Sequence, residues 1–276
     1  MCRIIVAFGN IDVAKILGSI ALMAKDQNSR HEMNEKKGPG SLQHTDGWGI
    51  AYLDQKGKFV IKKSPKAIFE DPESKKTLNF KTNFLIAHVR KKSGSEISLK
   101  NTHPFGAKHS LLGECVFCHN GAIEDDIQFD QKYKPQGKTD SERLFYSILS
   151  DIKENKTEDQ KEDKEGERHS HKIAATIRNN LQKYTKTKGS NIVLATKNKT
   201  FVAMRKNELP RYYGMVWAKG NDFLLISSEK LKTFPDIYWK SILPGEVITI
   251  QNGTTNFFIS REKKNLLQKI IALIAK

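Results

Sequence analysis

The run Cys2-Arg3-Ile4-Ile5-Val6-Ala7-Phe8 constrains this chain more than any other stretch. It is short, β-branched and apolar at successive positions, so it reads as a buried strand. Cys2 opens it one residue inside the initiator methionine. Cysteine is small enough for an aminopeptidase to remove Met1 before it. A thiol and a free α-amine would then share one residue, with unperturbed pKa values of about 8.5 and about 7.7–8.0. Such a residue can supply both a nucleophile and its base. A cysteine at this position can equally be a buried structural thiol, and the rest of the chain has to decide.

Behind the first strand, Ile11 to Lys25 has helical spacing, with Ile16, Leu17, Ile20 and Met23 on one face and Asp12 at its start. Residues 26 to 45 are polar, contain Gly38-Pro39-Gly40, and read as a loop. Asp46-Gly47-Trp48-Gly49 then enters a strand that continues to Leu53, and a hairpin leads to Phe59-Val60-Ile61. The glycines flanking Trp48 predict a close backbone approach, to a neighbouring strand in the plain reading. Phe84 to Arg90 and Glu114 to His119 are buried strands; the second is expected to stop at the Asn120-Gly121 turn signal. Thr139, Asp140 and Ser141 are alternative N-caps for a helix reaching Leu149, and Ile173 to Tyr184 is a second helix. From Asn191 the texture is one of short strands, closed by an apolar helix over Leu266 to Ala275. Strands, helices and strands again, without βαβ alternation, predict an α+β protein with mainly antiparallel sheets covered by helices.

Between the two middle helices, residues 151 to 168 carry eight acidic and five basic side chains and one apolar residue. That composition cannot pack a core and predicts a surface insertion or a solvated helix extension. The formal net charge is +16, but the lysines are dispersed along the chain with no arginine-rich block, so a nucleic-acid partner is not expected. No apolar run approaches the roughly 18 residues of a membrane span, and no signal-type segment opens the chain. Three cysteines, Cys2, Cys115 and Cys118, give no disulfide framework and suit a reducing, cytoplasmic location. Cys115 and Cys118 are spaced C-x-x-C, but further ligands at zinc-site spacing are missing. At strand spacing the two point to opposite faces, so they read as buried structural thiols and no metal or cofactor is expected.

Four polar positions stand at element ends or in a loop: Arg90 and Asn120 with Gly121 at strand ends, Asp140 at a helix start, and His103 in a loop before Pro104. Singly, each has a structural reading as a surface residue, a turn former or a cap. Together with Cys2 they form an ordered series: Met1-Cys2, Asp46-Gly47-Trp48-Gly49, Ala87-His88-Val89-Arg90, Asn101-Thr102-His103-Pro104-Phe105, His119-Asn120-Gly121 and Thr139-Asp140-Ser141-Glu142, continuing into Ile226-Ser227-Ser228-Glu229. This series resembles the class II glutamine amidotransferases, which are N-terminal-nucleophile (Ntn) hydrolases, and within them the stand-alone YafJ-like branch. The resemblance implies an αββα four-layer sandwich occupying residues 1–276 as a single domain.

It also implies roles. Cys2 would attack the γ-carboxamide of glutamine, giving a γ-glutamyl thioester and ammonia, with its α-amine moving the proton. The Asn120 side chain and the Gly121 N–H would form the oxyanion hole. Arg90 would bind the substrate α-carboxylate and Asp140 its α-ammonium. Ser93 stands where relatives place a hydroxyl near that carboxylate, His103 would shape the substrate loop, and Trp48 would line the cleft. Lys91 departs from the aromatic residue of larger relatives. No synthase domain accompanies these motifs, so ammonia would pass to a separate synthase or the thioester would simply be hydrolysed to glutamate. Three other readings stay open: a γ-glutamyl peptide or conjugate hydrolase on the same fold, an acylase of the choloylglycine type that also begins Met-Cys, and a basic binding protein that has lost catalysis.

Overall fold

The computed structural model describes residues 2–76, 80–153, 162–252 and 259–262. In chain order its elements are β1 (Arg3–Gly9), α1 (Val13–Ala24), α2 (Glu32–Lys37), β2 (Trp48–Leu53), β3 (Phe59–Ser64), α3 (Pro72–Lys76), β4 (Phe84–Val89), β5 (Phe105–His109), β6 (Gly113–Ile123), α4 (Asp140–Asp151), α5 (Glu162–Lys183), β7 (Thr187–Thr196), β8 (Lys199–Met204), β9 (Val216–Lys219), β10 (Phe223–Ser227), β11 (Trp239–Ser241), β12 (Val247–Gln251) and β13 (Ile259–Glu262). They build two antiparallel sheets, β11-β9-β10-β1-β4-β2-β3 and β13-β12-β8-β7-β6-β5.

β1 is buried on both faces because its two sets of alternating side chains serve different cores. Ile4, Val6 and Phe8, with Phe84 and Ile86 of β4, meet Val116, Cys118, Val193 and Val202 of the second sheet. Ile5 and Ala7 pack instead under Ile16, Ile20 and Met23 of α1. On the far side, Phe117, Leu194 and Phe201 pack under α4 and α5. The layers are therefore helix, sheet, sheet, helix, as the α+β reading and the resemblance imply. Asp12 caps α1 by accepting from the Lys15 N–H at 2.9 Å. Among the described residues, no helix is long and apolar enough to cross a membrane.

Two local expectations are corrected. The polar stretch 26–45 is not a plain solvated loop. It folds around α2, with His31 and Asn34 forming a reciprocal capping box and Asp26 accepting from the Gly40 and Leu42 N–H groups. Its side chains are polar because they satisfy one another inside: Asp26, Asn28, His31 and Asn34 are all buried. Nor does β6 stop at Asn120-Gly121. It continues to Ile123, paired with β7, and the irregularity is a register shift after Gly121. Glycine is required at 121 for close approach: a Cβ there would lie 2.2 Å from the Gly189 carbonyl oxygen. At Gly49 the nearest neighbour is the His103 carbonyl, 2.2 Å from where a Cβ would sit, with Lys63 of the adjacent strand β3 next at 3.0 Å. The charged stretch resumes from residue 162 as the opening turns of α5; residues 154–161, and the helix expected over Leu266 to Ala275, lie outside the described residues.

Candidate active site

Strand alternation brings the key groups face to face. Cys2 shares the face of Ile4 and Val6, and Asn120 shares that of Val116 and Cys118, so both look into the space between the sheets. There the Cys2 N–H donates to Asn120 Oδ1 at 2.8 Å, across 118 positions of sequence. Cys2 is 7% exposed and Asn120 fully buried. The Nδ2 group of Asn120 has no hydrogen-bond partner. An unpaired buried donor is costly and is kept where a ligand can use it. On the other face of β6, the neighbouring His119 ring is hydrogen-bonded to Ser141 Oγ at 2.9 Å and to Ser190 Oγ at 3.2 Å.

Thr139 is the cap of α4, accepting from the Glu142 N–H. That frees Asp140, half-exposed in the first helical turn and lining the cleft, to accept from the Ile123 N–H at 2.7 Å. The cleft itself is about 670 Å³ and runs between Ser93–Glu96 on one wall and Ala122–Glu124, Lys138–Asp140 and Lys188 on the other. Ser93 is exposed at its mouth. Arg90 ends β4 beneath the same loop. Its Nη1 donates to the Asp46 and Glu96 carbonyls at 3.3 and 3.0 Å, and its Nη2 to Ser95 O and Oγ at 3.3 and 2.7 Å. Burial lowers the pKa of this guanidinium from its ordinary value, opposed by the nearby charges of Cys2, Asp46 and Asp140. Asp46 also accepts from the Lys92 N–H at 2.8 Å, which ties the Asp-Gly-Trp-Gly motif to the loop.

Two expected contributors stand elsewhere. Trp48 does not line the cleft: its indole is 2% exposed in the layer under α1, and its N–H donates to Asp71 Oδ2 at 3.0 Å. The even spacing of β2 sends position 48 to the helix side. His103 is 3% exposed and packed between the tilted rings of His88 and Phe105, with ring centroids 4.2 and 4.5 Å away. It is an interior side chain beneath the site. Cys115 and Cys118 are free and buried on opposite faces, and burial pushes the Cys115 thiol up to about 12 and the Cys118 thiol higher than usual as well. Among the described residues, no cluster of His, Cys, Asp or Glu could hold a metal ion.

Sequence reasoning missed the support behind Cys2. Arg3 is fully buried and paired with Glu229 at 2.5 Å, and its guanidinium lies 4.2 Å over the Tyr212 ring. The available signal was a lone charge inside an apolar strand, which must be paired if buried. Tyr212 and Tyr213 wall the same region; burial raises both phenol pKa values, and the charge of Cys2 adds to the effect.

This arrangement has relatives. The chain matches the family Glutamine amidotransferases class-II over residues 31–270, a span that holds Arg90, Asn120, Gly121 and Asp140 and begins after Cys2. YafJ of Escherichia coli strain K12 is 33% identical over 118 residues, 41% of this chain and 45% of YafJ. An uncharacterised protein of Methanocaldococcus jannaschii is 39% identical over 127 residues, 44% of this chain and 35% of that protein. The chain thus spans less than half the length of these curated relatives. Among solved structures, the glutamine phosphoribosylpyrophosphate amidotransferase of B. subtilis superposes with a TM-score of 0.62 at 17% identity, over 96% of this chain and 50% of that one. A glutamine aminotransferase class-II domain protein of Silicibacter pomeroyi gives 0.57 at 14% identity, over 95% and 99%. By its family match and its two-sheet Ntn architecture, the chain belongs to the class II glutamine amidotransferases.

Proposed function

We propose that the chain, once Met1 is removed, hydrolyses the side-chain amide of glutamine through Cys2. The observation that carries this reading is the 2.8 Å contact of the Cys2 nitrogen with Asn120 Oδ1, together with the buried, unpaired Nδ2 of the same side chain. The α-amine of Cys2 takes the thiol proton, and sulfur bonds to the amide carbon. The resulting oxyanion is met by Asn120 Nδ2 and the Gly121 N–H. As the carbon–nitrogen bond breaks, the amine returns its proton and ammonia leaves. Water, deprotonated by the same amine, then attacks the thioester and releases glutamate and the thiol.

Substrate recognition falls to Asp140 and Arg90. The free oxygen of Asp140 accepts the α-ammonium at the rim of the cleft. The α-carboxylate engages Arg90 by replacing its contacts to the Ser95 and Glu96 carbonyls, because a charged acceptor makes the stronger bond. Ser93 borders the same end of the cleft. The cleft's volume of about 670 Å³ lies beside Asp140 and Ser93, and none of Cys2, Asn120 and Gly121 lines it. A γ-glutamyl peptide or conjugate hydrolysed by the same nucleophile is the second reading.

The test is glutamate release from glutamine by protein shown by intact mass to begin at Cys2, compared with protein that retains Met1. Release by the first and none by the second is expected, because Met1 converts the base into an amide. Equal rates would sink the N-terminal mechanism. A higher kcat/KM for γ-glutamyl dipeptides than for glutamine would move the assignment to the second reading. Asn120→Ala is expected to lower kcat by about 10²–10³-fold with KM for glutamine little changed, since the lost donor acts on charge that exists only in the transition state. Steady-state kinetics at saturating glutamine checks this, and an effect confined to KM would remove Asn120 from the oxyanion hole.

A further inference from the structure

The β1 ladder with β10 begins only at Ile5 opposite Ser227, so Cys2, Arg3 and Ile4 project beyond it. On that side the segment 227–229 takes over. Ser228 Oγ accepts from the Ile4 N–H at 3.0 Å, and the Ser228 N–H donates to the Ile4 carbonyl at 2.9 Å. One residue further out, the Arg3 guanidinium is shared. Its Nε donates to Glu229 Oε1 at 2.5 Å, and its Nη1 to the Cys2 carbonyl at 3.3 Å and the Tyr212 carbonyl at 3.1 Å. Glu229 is itself fixed, its Oε2 accepting from Asn28 Nδ2 at 2.8 Å and Ser29 Oγ at 2.6 Å.

A buried ion pair is a poor device for stability alone, since an apolar pair of the same volume usually holds a fold as well. Here the cost is raised further, because Arg3 Nη2 is buried without a hydrogen-bond partner. An apolar pair could not grip the carbonyl of the residue in front of it. Arg3 does so from the face opposite the thiol, while Asn120 holds the nitrogen from the front. Cys2 is thereby clamped at both ends of its backbone.

Resting on the hydrolase reading above, we propose that Arg3, locked by Glu229, is a positioning residue that sets the Cys2 backbone so that its thiol and α-amine address one substrate carbon. The pair touches neither substrate nor reacting atoms. Its effect is therefore on kcat rather than KM, because a displacement of the nucleophile by about 1 Å can cost about 10²-fold in rate.

The decisive variant is the charge-neutral double substitution Arg3→Met/Glu229→Leu, with Arg3→Lys beside it. Three readouts are taken: the melting temperature, kcat and KM for glutamine, and the rate at which iodoacetamide alkylates Cys2, followed by intact mass. The double variant is expected to melt close to wild type, to lose about 10²-fold in kcat with KM unchanged, and to alkylate about tenfold more slowly. Arg3→Lys keeps the charge but loses the fork, and is expected to show the same kcat loss. Should the double variant fail to fold, Arg3→Lys decides alone: wild-type kcat and alkylation in it overturn the proposal. So does a folded double variant that turns over and alkylates at wild-type rates. If neither wild type nor variant releases glutamate, the hydrolase reading has failed, and the alkylation rates still report on the clamp.

Discussion

Cys2→Ala is expected to abolish glutamate release, with a loss of at least about 10⁴-fold, the scale seen when a covalent nucleophile is removed from an assembled site. The fold should hardly register the change. Cys2 precedes the first ladder pair of β1, and alanine removes one sulfur atom from a position that is 7% exposed. That corresponds to about 1 kcal/mol, or a few degrees in Tm for a chain of this size. Circular dichroism melting beside the activity assay separates the two effects. Retained release at even a tenth of the wild-type rate, in a protein that melts normally, would remove Cys2 from the chemistry. The same variant tests thiol selectivity. Cys115 and Cys118 are buried and their thiolates disfavoured, so iodoacetamide should add one group to wild type and none to Cys2→Ala under native conditions.

How far this site could be read from sequence depends on how far apart its parts lie. The unbroken apolar run Ile4–Phe8 reveals a strand buried on both sides, and the capping residues before Leu144 reveal where Asp140 opens a helix. Both are local patterns. The ordered motifs made the family legible and, through it, the pairing of Cys2 with Asn120. No local rule could supply the register that sets those two residues 2.8 Å apart across separate sheets. The Asn120-Gly121 pair misled for a physical reason: Asn-Gly favours turns in isolation, but here β7 offers partners on through Ile123, and glycine is needed for clearance from Gly189. Trp48 misled in a similar way. Flanking glycines mark a close approach, and the structure supplies it through the His103–Pro104 segment while the indole turns to α1. Arg3 and Glu229 were out of reach because 226 positions separate them, and nothing near either announces the other.

Acid should unfold this protein early, beginning below about pH 6.5, the ordinary histidine pKa. His44, His88 and His103 are all buried, at 1%, 1% and 3% exposure, and neither ring nitrogen of His44 or His103 has a partner. Burial holds His88 down to about 3, and holds His44 and His103 well below their usual value. Neighbouring cations push the same way: Arg90 beside His88 and His103, Arg3 and Lys91 beside His44, and Lys63 beside His103. Below about pH 6.5 the unfolded chain therefore binds protons that the folded chain refuses, so stability falls as pH falls. While the folded rings stay neutral, each histidine contributes about 1.4 kcal/mol per pH unit, and the three together about 4. That is a large part of the roughly 5–15 kcal/mol that holds a typical domain together. Melting temperatures recorded between about pH 8 and pH 4.5 should be level at first and then drop steeply below about pH 6.5. His103→Phe, which keeps a ring against His88 and removes one titrating group, should lessen the slope. A melting temperature that stays level from about pH 7 to pH 5, or a slope that His103→Phe leaves untouched, would mean that these rings accept protons without leaving the folded state.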